Sequence, residues 1–349
     1  MSFAQILQSL DDAESRRLAS KVPSWAGVQL EVPASLNLQQ CSGDTAARYK
    51  ASLLPEGVRV ADLTGGLGVD SWAFSLRASA VWYNERDAVL RAAVERNFAA
   101  LGVSNVVFNT YDVGAVDGLW LQALRSFAPD VIYLDPARRD AAGRKVFLLE
   151  DCSPDVVALM PQLLSVAPLV IVKVSPMADI TMLQRRLSAW LSELHVVGAD
   201  GECKELLCIC GTASIKSSAH IVLAEDGYVF GGIQPESAER SETPAGSLLF
   251  VPSAAMVKSG QGPGIQMMPY DEELSHFGKF YQVIENLPFA SSVIKDLGRR
   301  YPQAEVTARG VQISSEDLRK KIRTKPGGPV HIFACIINGK RRLIITTLR

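Results

Sequence analysis

Two stretches of the chain carry residue types that could do chemistry together. The first is Val60-Ala-Asp-Leu-Thr-Gly-Gly-Leu-Gly-Val-Asp70, and the second is Val81-Trp-Tyr-Asn-Glu-Arg-Asp87. They read as a strand, a glycine-rich turn into a helix, and a second strand ending on a carboxylate. Glycines let backbone come close to a ligand because they carry no Cβ. A carboxylate at the second strand end can hold two ribose hydroxyls. This is the layout of a nucleotide-type cofactor site in an open α/β sheet.

The glycine spacing and one acid narrow the cofactor. A dinucleotide fingerprint wants Gly-x-Gly-x-x-Gly, whereas Gly66-x-Gly68 is followed by Ser71. Asp62 precedes the glycines at the strand end. It would repel a pyrophosphate and attract the sulfonium and amino group of S-adenosylmethionine. We therefore expect Asp62, Gly65, Gly66 and Gly68 to form the cofactor turn and Glu85 to take the ribose. Asp70 can cap the helix that follows or reach the methionine moiety. Asp87 is expected as a helix cap. Tyr111 and Asp112 follow the third strand, where a side chain can hold an adenine amino group or close a loop.

A further signal is Val131-Ile-Tyr-Leu-Asp-Pro-Ala-Arg-Arg-Asp140. An apolar strand delivers Asp135 and Pro136 to the sheet edge, and proline fixes the backbone there. The Asp135 carboxylate can orient an attacking group for an in-line methyl transfer, in which positioning supplies much of the rate. Arg138 and Arg139 can grip substrate phosphates or face water. Lys173 is a charge inside the apolar run Leu169-Val-Ile-Val-Lys-Val and needs a partner, or a route to the strand end. It is a candidate substrate contact. The charged turn Glu202-Cys-Lys-Glu205 reads as a plain hairpin.

The elements that must position these residues alternate. Strands are expected at 58–62, 80–84, 105–109, 130–135, 168–174, 194–198 and 205–211, and helices at 69–78, 87–101, 117–127, 153–166 and 179–191. Such alternation means a parallel sheet with helices on both faces. The last two strands, joined by the short turn 199–204, would close the sheet with an antiparallel neighbour. Before the sheet, helices are expected at 2–22 and 42–54, with a loop at 23–40. After residue 215 the composition shifts to Gly, Pro and Ser with short strand signals. Regular structure resumes with strands at 283–286, 305–308, 330–337 and 342–347 and helices at 290–299 and 314–322.

The bulk properties agree with a globular protein of two or three domains. The chain has 349 residues, of which 48% are hydrophobic. Its first residues lack a basic leader and a continuous apolar core, so no signal peptide is expected. No apolar run reaches the ~20 residues that span a bilayer. A cytoplasmic location is the expectation. Six scattered cysteines and four isolated histidines fit neither a zinc site nor a disulfide framework. They are expected to be structural, with no metal. The net charge of −1 hides an asymmetry: from Lys295 onward thirteen Lys and Arg face four Asp and Glu, leaving that segment at +9. A basic segment of this kind suggests a polyanionic partner. Arg319, Lys320 and Lys321 are its densest run and are candidate contacts to such a partner, most simply a nucleic acid.

Asp62-Leu-Thr-Gly-Gly-Leu-Gly-Val-Asp70, Asn84-Glu-Arg-Asp87 and Asp135-Pro-Ala-Arg138 resemble class I S-adenosylmethionine-dependent methyltransferases. The first two are similar to the bacterial small-subunit ribosomal RNA guanine-N2 methyltransferases. That resemblance implies cofactor contacts at Val69, Asp70, Glu85, Arg86 and Asp135. The whole chain resembles bacterial methyltransferases with a C-terminal THUMP-like domain. It implies a helical segment at 1–48, a Rossmann-like domain at 49–215, a small ferredoxin-like α+β module at 216–276 and a basic THUMP-like domain at 277–349. THUMP domains bind RNA, so ribosomal or transfer RNA becomes the expected partner. One departure is visible. Amino-methylating enzymes often follow Asp/Asn-Pro-Pro with an aromatic that stacks the target base, and here Pro136 is followed by Ala137 and Arg138. An acceptor that is a small molecule or a protein, or a non-catalytic RNA-binding role, stays open at this point.

Overall fold

The computed structural model describes residues 12–137, 152–212, 220–231 and 248–348. They divide into two compact units, one formed by residues 1–199 and 204–227 and the other by 200–203 and 228–349.

The first unit begins with α1 (Asp12–Lys21), α2 (Ser35–Gln40) and α3 (Asp44–Ser52). It continues with β1 (Arg59–Asp62), α4 (Val69–Ser75), β2 (Ala80–Asn84), α5 (Ala88–Ala100), β3 (Val106–Asn109), α6 (Leu119–Phe127) and β4 (Val131–Leu134). Then come α7 (Val156–Leu164), β5 (Leu169–Val174), α8 (Ile180–Arg186), β6 (Leu191–Ala199), β7 (Glu202–Gly211) and β8 (His220–Glu225). Within this unit the strands run in the order β3-β2-β1-β4-β5-β7-β6-β8. β1 lies parallel between β2 and β4, with Asp62 level with both Tyr83 and Tyr133. β7 runs antiparallel to β5, with Leu206 beside Val174. β4 is buried along its whole length, as parallel strands covered on both faces must be. The register puts the ends of β1, β2, β3, β4 and β5 and the start of β7 along one edge.

The expected strands are present, within a few residues of their expected ends. The hairpin between β6 and β7 is tighter than expected. Asp200 and Gly201 form it alone, both at positive φ, the geometry that an Asp-Gly pair suits.

The N-terminal residues are not a loop-linked appendage. The stretch expected as loop contains α2 and a 3-10 turn at Pro23–Trp25. Leu18, Val22, Trp25, Leu30, Val32 and Leu38 share one core with Val60, Val81 and Tyr83. Trp25 meets Trp72 edge to face at 5.8 Å. Apolar residues spread through irregular chain have no period, so their burial is invisible to pattern reading. Asn97, on α5, bonds this segment. Its Oδ1 accepts from the Glu31 N–H at 2.7 Å and its Nδ2 donates to the Glu31 carbonyl at 2.8 Å.

The second unit contains β9 (Tyr228–Val229), β10 (Leu248–Pro252), α9 (Ala254–Ser259), β11 (Gln266–Met268) and α10 (Glu272–Ser275). These precede β12 (Gly278–Pro288), α11 (Ser291–Arg300), β13 (Glu305–Ala308), α12 (Ser315–Ile322), β14 (Val330–Ile337) and β15 (Lys340–Leu348). Its sheet order is β11-β10-β12-β15-β14-β13. α11 and α12 bury Ile294, Leu297, Leu318 and Ile322 with Ile332, Leu343 and Ile345 of the sheet. The separate module expected over 216–276 does not form among the described residues. β8 pairs with β6 in the first sheet, and β10 and β11 join β12 in the second. Strand pairing over long separations overrides the local change in composition.

Candidate active site

The glycine turn is shaped by the aromatic layer beneath it. A Cβ on Gly65 would come within 2.1 Å of the Tyr83 ring, and one on Gly68 within 2.8 Å of Phe98. Gly66 and Gly68 also sit at positive φ. At Gly66, by contrast, a Cβ would find nothing nearer than 4.0 Å, so the turn is open above and crowded below. Its amide points to the end of β2, where the Gly66 N–H donates to Glu85 Oε2 at 3.0 Å. The other Glu85 oxygen accepts from the Asp87 N–H at 2.9 Å. Each carboxylate oxygen keeps a lone pair for a further donor. This is a cradle for a ligand with vicinal hydroxyls. Asp87 caps α5, as expected, accepting from Val89 and Leu90.

Asp62 lies under the turn, 1% exposed. Its oxygens accept from the Thr64 N–H at 3.1 Å and the Ser71 hydroxyl at 2.6 Å. Burial pushes its carboxyl up to about 7, partly opposed by the Ser71 bond. Asp62 therefore braces the turn from below. Asn84, to which the sequence reading gave no role of its own, ties three strand ends together. It donates to the carbonyls of Leu63 and Tyr111 and accepts from the Tyr111 N–H at 2.8 Å. Tyr111 lies parallel to Trp82 with ring centres 5.9 Å apart. Asp112 and Arg86 are exposed on the same rim.

Asp70 neither caps α4 nor faces solvent. Its Oδ2 accepts from Ser42 at 2.9 Å and from Tyr133 at 2.7 Å. Its Oδ1 lies 3.2 Å from Lys50 Nζ in an ion pair. Burial alone would raise this carboxyl, but Lys50, Lys173 and the two hydroxyls hold it below the usual range.

After β4, the Asp135 N–H donates to Thr64 Oγ1 at 2.6 Å, linking this turn to the glycine turn. Pro136 is buried and Ala137 bridges to Ser153. Arg138 and Arg139 lie outside the described residues. Lys173, expected as a substrate contact, is engaged by the protein instead. Its Nζ donates to Asp135 Oδ2 at 2.5 Å and lies 4.0 Å from Glu205 Oε2. Burial would lower its pKa, but Asp135, Glu205 and Asp70 together raise it well above the lysine range.

Two site residues escaped the sequence reading. Lys50 on α3 is fully buried and pairs with Glu205, Asp70 and the Ser42 hydroxyl. Glu205, read as part of a plain hairpin, is 3% exposed. Its signal was a carboxylate starting the apolar run Leu206-Leu-Cys-Ile-Cys210; Lys50 sat on a helix with no local hint. His195 bonds Tyr49 and Glu193 away from these groups. All six cysteines are free thiols. Among the described residues, no group of three or more His, Cys, Asp and Glu is arranged for a metal ion. Nor is any helix among them long and apolar enough to cross a membrane.

In the second unit, Arg319 is half-buried and Lys320 and Lys321 are exposed on α12. Lys320 pairs with Glu316 at 2.8 Å, so part of this helix's charge is offset on its own surface.

Residues 278–348 match a family model described as THUMP domain-like. The chain is 25% identical over 311 residues to an S-adenosylmethionine-dependent methyltransferase of Mycobacterium tuberculosis, itself uncharacterised, covering 84% of this chain and 82% of that protein. A crystal structure from Porphyromonas gingivalis W83, provisionally assigned as a methyltransferase, superposes with a TM-score of 0.76. The two are 27% identical, over 100% of this chain and 94% of the other.

Proposed function

We propose that this chain, a class I S-adenosylmethionine-dependent methyltransferase with a THUMP-like C-terminal domain, methylates RNA, with a base amino group as the acceptor. The observation that carries the reading is a pairing. A cradle for the cofactor lies beside a proline-fixed carboxylate in one unit. The other unit carries the THUMP-like match and the +9 segment.

When bound, S-adenosylmethionine supplies an electrophilic methyl group; the protein's contribution is positioning and charge. In this reading Glu85 accepts the ribose hydroxyls on its free lone pairs. Gly65, Gly66 and Gly68 keep the turn low enough for the ligand to pass over it. Asp62 braces that turn, Asp112 and Arg86 flank the rim, and Asp70 supplies negative charge near the cation. Asp135 accepts a hydrogen bond from the acceptor amino group and aims its lone pair, while Pro136 holds the backbone. Lys173 holds the Asp135 carboxylate through their ion pair. Arg319, Lys320 and Lys321 take phosphate contacts.

Two measurements test this. Calorimetry with wild type and Glu85→Ala should give S-adenosylmethionine binding that weakens at least about tenfold in the variant, with no binding of NAD. Methyl-labelled S-adenosylmethionine, incubated with the protein and total RNA from cells lacking it, should label the RNA. Cofactor binding with label only in protein or small-molecule fractions would sink the RNA assignment.

A further inference from the structure

The buried charges of the site form one chain, and it joins the two turns that the proposed reaction must hold together. Asp70 stands at the start of α4, beside the cofactor turn. Asp135 stands at the end of β4, on the acceptor side. Between them run Lys50, Glu205 and Lys173, in alternating sign. Glu205 is the shared member, with Oε1 on Lys50 and Oε2 4.0 Å from Lys173. Exposure is graded along the chain. Lys50 is 0% and Glu205 3% exposed, Lys173 13%, and Asp135 38%. Lys50 and Glu205 are closed to substrate, and exposure rises through Lys173 to Asp135.

We propose that Lys50 and Glu205 are positioning residues for Asp135. Glu205, held by Lys50, holds Lys173, and Lys173 holds the Asp135 carboxylate in one orientation. This rests on the reading of Asp135 as the acceptor-side carboxylate. The physical reason is that a lysine with four rotatable bonds does not fix a partly exposed carboxylate by one contact. A second, buried anion behind it removes the ammonium's alternatives. A buried carboxylate between two ammonium groups is in turn tolerated only while both are in place. The chain also explains why a residue on α3, before the sheet begins, is fully buried at the site.

Glu205→Gln tests this, because it keeps shape and an acceptor oxygen while removing the charge. Lys173 is followed by NMR of its side chain during a pH titration. Losing one of its anions should lower its midpoint by about one pH unit or more. S-adenosylmethionine affinity should stay within about threefold. On RNA, kcat should fall about tenfold or more with KM unchanged, as expected when orientation alone is lost. An unchanged Lys173 titration overturns the proposal, as does an unchanged kcat. Should Glu205→Gln fail to fold, Lys50→Met combined with Glu205→Leu removes both buried charges at once. Replacing such a pair with apolar side chains is often tolerated. A double variant with the wild-type Lys173 titration, or wild-type kcat, overturns the proposal equally. If the wild type labels no RNA, the functional reading fails, while the Lys173 titration still decides this one.

Discussion

Lys50 and Glu205 lie 155 residues apart in the chain and form an ion pair closed to solvent. The helix before the sheet and the last antiparallel strand thus meet through two charges. Removing one partner strands the other. Lys50→Ala should lower the unfolding free energy by about 3–5 kcal/mol in denaturant titrations, the usual consequence of orphaning a buried charge. A loss below about 1 kcal/mol would mean that water compensates and the pair is not truly buried.

The glycine turn gives a second test. Gly65→Ala forces a Cβ toward the Tyr83 ring, which packs against Phe98 and Phe108 and cannot swing aside. Overpacking of this kind costs about 1–3 kcal/mol. We expect a lowered thermal midpoint together with weakened S-adenosylmethionine binding. Full binding with wild-type stability would show that the turn is softer than this packing implies.

Asp62 makes a pH prediction. Its carboxyl titrates near 3.8 when unfolded and near 7 when folded. Between those values the folded protein holds a proton that the unfolded chain has lost. The group therefore favours folding at low pH, and that advantage is lost as pH rises from about 4 to 7. Asp62→Asn removes this dependence while its amide oxygen still serves the Thr64 N–H. Stability of the variant relative to wild type should rise across that window. A flat difference curve would show that Asp62 ionises normally in the fold.

Asn97 anchors the N-terminal segment through two hydrogen bonds to Glu31. Asn97→Ala leaves both half-buried backbone groups of Glu31 without this partner, at about 1–3 kcal/mol. Amide exchange should speed up first around residues 28–34. Uniform exchange across the domain would argue against a local anchor.

The basic helix α12 should act through charge alone. Arg319→Ala with Lys321→Ala should reduce the slope of log affinity for RNA against log salt by about 1 to 2, and leave S-adenosylmethionine affinity unchanged. An unchanged slope removes α12 from the RNA surface.

The alternation of strands and helices was legible because a doubly covered sheet demands continuous apolar strands at short spacing. The glycine turn, Glu85 and Asp135 were legible for a related reason. They follow strand ends, and in such a sheet the ends of successive parallel strands share an edge. What stayed hidden was every partner. Lys173 declared by its apolar surroundings that it needed a carboxylate, but nothing local said Asp135 and Glu205. Lys50 looked like an ordinary helix lysine, and Glu205 like a turn residue.

By itself, then, the sequence determined which residues stand at this edge of the sheet, because local pattern sets strand ends and chain order sets their neighbours. Only the tertiary structure decided which charges meet. Insertion of β7 beside β5 and packing of α3 over the sheet bring Lys50, Asp70, Glu205, Lys173 and Asp135 into one chain. Ion pairs form between whatever side chains the packing of apolar surfaces brings together. That packing is a property of the whole core and has no local period to read.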